Sequence, residues 1–162
     1  MRQWHNHPSQ DSLSHCDWQC AGCSPDLEIL ALNRRGSIFV GRIADWDDRL
    51  HHVFPWLPRL SWDLERHMDQ RAKKGGLDVS LLCAPSEFTG HVLNSALAAC
   101  SPVRYAYHLT PNDQAVMDAY SELRIVEDGR NYALGAIEQK LAEPPAVKHG
   151  AAGSGLSIPD SN

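Results

Sequence analysis

At 162 residues the chain has the length of one ordinary domain, or of a small domain with an extension. Hydrophobic residues at 43% and charged residues at 22% exclude a fibrous or wholly disordered polymer. No run approaches the ~20 apolar residues of a membrane helix. Twenty Asp and Glu against fifteen Lys and Arg leave a net charge of −5, which argues against a general grip on nucleic acid but leaves room for a local basic patch.

Met1 to Pro8 carries one Arg and then polar residues with no apolar core, so it does not read as a secretory signal. The five cysteines are an odd number. Cys16, Cys20 and Cys23 are crowded, while Cys83 and Cys100 stand apart. The expectation is a cytoplasmic, reducing setting with free thiols or a metal rather than disulfides.

Residues 1–23 are dense in His, Cys, Trp and Ser, the profile of a site-bearing segment. Residues 27–33 and 37–43 are short and apolar, and Gly36 sits at the turn between them, which predicts a β-hairpin. A short helix is expected from Asp45-Trp46 to Val53, broken by Pro55 and Pro58. Ser61 can cap a helix to about Lys73, with Leu64 and Met68 on one face and Gly75-Gly76 as its end. Residues 77–84 read as a strand. Ser86 can cap a helix whose apolar stripe is Val92, Leu93, Ala96, Leu97 and Cys100. Residues 103–109 alternate as a strand does.

Thr110-Pro111-Asn112-Asp113 is the clearest helix start: Thr at the N-cap, Pro at the first helical position, Asp able to reach back to the cap. That helix should bury Val116, Met117, Tyr120 and Leu123 and stop near Gly129. A last helix is expected over 131–142, ended by Pro144-Pro145, before a tail rich in Ala, Gly and Ser that reads as disordered.

The segment richest in chemistry is His5-Asn6-His7-Pro8, followed by Ser14 and Asp17. On a strand, His5 and His7 project from the same face. Ser14 as an N-cap puts Asp17 in the first helical turn. A turn after Pro8 can fold that helix back so that the carboxylate reaches both imidazoles. Two His and one carboxylate with an open fourth position suit a catalytic Zn2+. The plainer alternative is that Ser-x-x-Asp is only a capping box and His-x-His a solvated tail.

His-x-His-Pro followed by Ser-x-x-Asp resembles the motif of the JAB/MPN metallopeptidases, also called JAMM, and is closest to their bacterial RadC-like and phage-associated branch. The resemblance covers residues 4–43, with 27–43 matching the two strands that follow the motif helix. It implies that His5, His7 and Asp17 hold zinc, that Ser14 serves catalysis by stabilising an oxyanion, and that the reaction is hydrolysis of a peptide or isopeptide bond in a protein or peptide substrate. The family carries a Glu on a strand upstream of the His pair. Only Met1-Arg2-Gln3-Trp4 stands there, so the resemblance is N-terminally incomplete. Either the chain begins at an internal Met, or another carboxylate such as Asp11, Glu28, Asp45 or Glu87 serves as base, or catalysis is lost.

Other readings attach to the same stretch. Cys16-x3-Cys20-x2-Cys23 has the spacing of a radical-SAM iron–sulfur loop, though no glycine-rich SAM strand accompanies it. Cys20 and Cys23 alone form half of a structural zinc knuckle. The bland reading makes them small residues on a helix. His51, His52, His67, His91 and His108 read as surface or satisfied polar groups, and Arg34-Arg35 as a solvated turn. Trp46, Trp56 and Trp62 with Phe54, Leu57 and Leu60 read as core or as a partner groove.

The expectation is therefore an α+β protein, with a JAB-like mixed sheet fragment and metal site over residues 1–45, a mostly helical extension over 46–145 and a tail over 146–162. Its function would be zinc-dependent hydrolysis. The alternative is a silent JAB-like module that binds a protein through residues 46–62 and the helices after them.

Overall fold

The computed structural model of the protein describes residues 1–7, 12–24, 26–76 and 86–144, with the backbone alone at His5, His7, Ser86 and Glu87. Strands β1 (Arg2–His7), β2 (Glu28–Asn33), β3 (Ile38–Ile43) and β4 (Val103–His108) form one four-stranded sheet in the order β1-β2-β3-β4. The predicted hairpin is β2–β3, with Gly36 at φ 92 in its turn, a conformation that glycine adopts without a Cβ clash. The strand β1 runs parallel to β2, while β3 is antiparallel to both its neighbours. A parallel pair needs a crossover, and helix α1 (His15–Cys23) lies within it. The α+β class expected from the sequence is what the chain adopts.

The remaining helices are α2 (Leu50–Val53), α3 (Leu57–Lys74), α4 (Ser86–Cys100), α5 (Pro111–Glu122) and α6 (Ile125–Ala142). A single 3-10 turn, Phe54–Trp56, joins α2 to α3. The short helix ends at Val53 as expected, with Pro55 in the 3-10 turn after it, but the next helix begins at Leu57 rather than at Ser61: Pro58 sits in its first turn, where a missing N–H costs nothing. Ser61 therefore lies inside α3. The end of α3 is as expected, with Gly75 at its C-cap and Gly76 at φ 74.

Gly129 is likewise no terminus. The break falls at Leu123–Arg124, where Arg124 adopts φ 58, and α6 runs straight through Gly129. A Cβ there would sit 3.0 Å from Met68 Cγ, so this glycine marks a close crossing of α6 over α3. Leu123, expected inside, is exposed at that break. The predicted strand 77–84 and the tail 146–162 lie outside the described residues.

The helices pack on one face of the sheet. Ile29, Ala31 and Phe39 face them and are buried, whereas Trp4 and Leu32 on the other face are exposed. A single hydrophobic cluster runs from Leu13 and Trp18 through Phe39, Leu64 and Met68 to Leu141, so residues on both sides of position 45 share it.

Two devices lock the layers. First, Gly41 on β3 is a socket: a Cβ built there would lie 2.3 Å from Leu13 Cδ1 and 2.5 Å from the Trp18 ring. Second, the buried carboxylate of Asp113 ties α5 to the hairpin turn. Its Oδ2 accepts from Ser37 Oγ at 2.5 Å and from Asn33 Nδ2 at 3.2 Å, and Arg35 Nε lies 2.8 Å from Oδ1. Thr110 does cap α5, accepting from the Asp113 amide, but the Asp113 carboxylate is directed at the hairpin rather than back at the cap. Arg35, expected in solvent, is thus a half-buried partner of Asp113 and also rides over the Phe88 ring.

The socket yields a test. Gly41→Ala should lower unfolding free energy by about 1–3 kcal/mol through overpacking. Urea denaturation checks this, and an unchanged midpoint would mean that Trp18 and Leu13 yield freely.

Candidate functional site

Ser14 is the N-cap of α1, with extended backbone at φ −87 and ψ 170. It forms a complete capping box with Asp17. The Asp17 amide donates to Ser14 Oγ, while Asp17 Oδ2 accepts from the Ser14 amide at 2.6 Å and from Ser14 Oγ at 2.8 Å. Asp17 is buried, on the same side of α1 as Trp18 and Ala21, the side that packs against β2 and β3.

The register sets His5 opposite Ala31 and His7 opposite Asn33. Ala31 is buried on the sheet face that α1 covers. Sequence reasoning thus names two groups that the structure brings together, Ser14 and Asp17. The imidazoles of His5 and His7, and with them the predicted ligand set, lie outside the described side chains. Among the described residues no three His, Cys, Asp or Glu side chains gather as a metal would need.

Helix α1 runs through Cys16, Cys20 and Cys23, and all three are exposed and free. The loop that a cluster or knuckle reading assumes is therefore helical over these positions. Cys16 Sγ lies 3.4 Å from His15 Nε2. Cys100 differs: its half-buried thiol donates to Ala96 O, and burial with the nearby Glu138 charge raises its pKa to about 11.

Two of the four carboxylates considered as a base stand at the wrong end of the sheet. Glu28 pairs with Arg2 at 2.5 Å and is five register steps from the His7 row, roughly 16 Å along the strand. Asp45 follows Ile43, at that same far end. Asp11 and the Glu87 side chain lie outside the described structure.

A carboxylate that the sequence did not single out shares a cleft with Ser14. A cleft of about 320 Å³ opens between α1, α3 and α4, and Ser14, His15, Trp62, Glu65, Gly90 and Leu93 line it. Trp62 is 72% exposed there. In the sequence Glu65 is one acidic residue on an amphipathic helix, with nothing to separate it from Asp63 or Asp69. The aromatic cluster splits in the same way: Phe54, Leu57 and Leu60 are core, while Trp46 and Trp62 reach the surface.

Behind Ser14 lies a chain of buried polar groups. Trp18 Nε1 donates to Asn94 Oδ1 at 2.8 Å. Asn94 Nδ2 donates to Ser12 Oγ at 2.9 Å and to the Leu13 carbonyl at 2.8 Å. Ser12 Oγ is 2.8 Å from Tyr105 OH, which is 2.9 Å from His91 Nδ1. The bonds run in one direction when the Ser12 hydroxyl donates to Tyr105 and Tyr105 donates to a neutral His91. Burial pushes the His91 pKa down to about 4 and raises that of Tyr105, which keeps both groups uncharged. His91 is therefore a satisfied polar group, as expected, and it anchors the residues that lead into α1.

No family model matches the chain, and neither the curated proteins nor the solved structures contain a significant match. The site is therefore read from its own groups.

His91 carries a pH signature. Its folded pKa is about 4, against an ordinary 6.5, so the unfolded chain takes up the proton first as pH falls. Stability is complete above pH 6.5 and drops between 6.5 and 4, by about 3 kcal/mol in all. Melting temperatures across that range should fall less steeply for His91→Gln than for the unmodified chain.

Proposed function

We propose that the protein is a zinc-dependent hydrolase of peptide or isopeptide bonds, resembling the JAMM metallopeptidases. One observation carries the reading. The Ser14–Asp17 pair is assembled at the start of α1, with Asp17 on the side that packs against the sheet and Ser14 lining a cleft. His5, His7 and Asp17 form a two-nitrogen, one-oxygen donor set that fits zinc. Bound there, the metal would supply a Lewis acid and an activated water.

The chain's own groups then have distinct tasks. Ser14 Oγ gives its one proton to Asp17 Oδ2 in this structure, and turning that proton toward a developing oxyanion would let it stabilise the charge. Asp17 holds the Ser14 hydroxyl and amide through Oδ2, so any movement of one disturbs the other. Glu65, which lines the cleft with Ser14, would be the group to accept a proton from an attacking water in place of the upstream Glu of the family. The exposed indole of Trp62 offers apolar surface to a substrate segment. Asn94 and Ser12 fix the entry to α1 from behind.

A second reading is favoured by Trp62 itself. A silent module would use the same exposed indole and cleft to hold a protein partner without cleaving it.

Zinc content and peptidase turnover separate the two. The purified chain should carry about one zinc, and His5→Ala with His7→Ala should remove it. Glu65→Gln should keep the zinc and lower turnover by about 10²–10⁴-fold, the usual worth of a general base. Equal zinc in the parent and the double variant would overturn the metal reading. Bound zinc without turnover in the parent would leave the partner-binding module.

A further inference from the structure

The surface of α1 presents a feature that hydrolysis does not use. Cys16, Cys20 and Cys23 are all exposed and free on a nine-residue helix. Their spacings of four and three residues put them on one face, with Cys20 in the middle. Free cysteine is ordinarily among the most buried residue types, so an exposed row of three is unusual.

The spacing decides what such a row can do. Cβ atoms three or four apart on a helix are about 5–6 Å from one another. A disulfide needs about 3.5–4.5 Å, so Cys20 and Cys23 cannot close one without opening the last turn. A cation bound between two thiolates through bonds of about 2.3 Å sets the sulfurs about 4.6 Å apart, which the helical spacing allows. Zinc in a structural site demands four ligands, and no third His, Cys, Asp or Glu gathers with any pair among the described residues. A soft monovalent cation that is content with two thiolates has no such need.

We propose that this face of α1 binds one cuprous ion between Cys20 and Cys23, with Cys16 as an alternative partner for Cys20. Two thiols and one Cu(I) give a dithiolate complex, and two protons pass to solvent; no electron is transferred. Cys16 is the lesser partner because its sulfur is already engaged by His15 Nε2 at 3.4 Å. The site is separate from the zinc site proposed above, and the two stand or fall independently.

The test uses the full chain, reduced and under anaerobic conditions, titrated with Cu(I) against a chromophoric cuprous chelator. One ion per chain should bind. Cys20→Ser removes both bridges and should weaken binding on the order of 100-fold, as expected when a chelate becomes a monothiol. Cys23→Ser should cost about 10-fold and Cys16→Ser less than about 3-fold, because one bridge survives in each. The Cys16→Ser, Cys23→Ser double variant should match Cys20→Ser, and all four variants are checked for helicity by circular dichroism. Binding by Cys20→Ser within about 3-fold of the parent would overturn the proposal. So would loss of copper in the His5→Ala, His7→Ala variant with the cysteines intact.

Discussion

Everything about this fold hangs on where one indole sits. Trp18 occupies the space that Gly41 leaves on β3, stacks on Phe54 and donates its N–H to Asn94 of α4. Sheet, 3-10 turn and helical layer therefore meet on a single side chain that is 1% exposed. The polar end is satisfied and the apolar body is packed, so the ring gains burial without an orphaned donor. Because Trp18 is one residue after Asp17, its seating also fixes the rotation of α1. Asp17 lies on the sheet-facing side of α1 as a consequence of core packing.

Local chemistry was the legible part of the fold. The β2–β3 hairpin follows from two apolar runs around Gly36, and the start of α5 follows from Thr110 and Pro111. Both depend on neighbours in sequence. The start of α3 is not legible locally, because Pro58 can either stop a helix or begin one, and only the packing of Leu57 and Leu60 decides. Gly129 misled for the opposite reason. It resembles a helix end, yet its missing side chain makes room for Met68, which lies sixty-one positions earlier. Asp113 and Arg35 likewise acquire their roles from each other, across a distance that no window of sequence spans.

The candidate site divides along the same line. Ser-x-x-Asp is a local motif, and the capping box it predicts is present. Glu65 and Trp62 share a cleft with Ser14 only through the docking of α3 beside α1 and α4, so Glu65 does not stand out in its segment and Trp62 does so only as one of an aromatic cluster. The network from Trp18 to His91 joins residues from three separated stretches, and a lone His at position 91 carried no hint of it. The cysteines show the reverse case: their crowding was obvious, but helix or loop decides which ions they can hold, and α1 is a helix.

The pairing of β3 with β4 sets Ile43 beside Val103 and Ile38 beside His108, across the whole of α2, α3 and α4. Closing so large a loop is entropically expensive and slow compared with forming the adjacent hairpin. The hairpin can therefore act as an early template, whereas the last strand must wait for the intervening helices to collapse. Tyr105 rides on that late strand, and its hydroxyl is the link between Ser12 and His91. The rigid backing of the cleft thus comes into being only when the chain completes its assembly, so a partly folded chain would carry the His-x-His and Ser-x-x-Asp segments without that support.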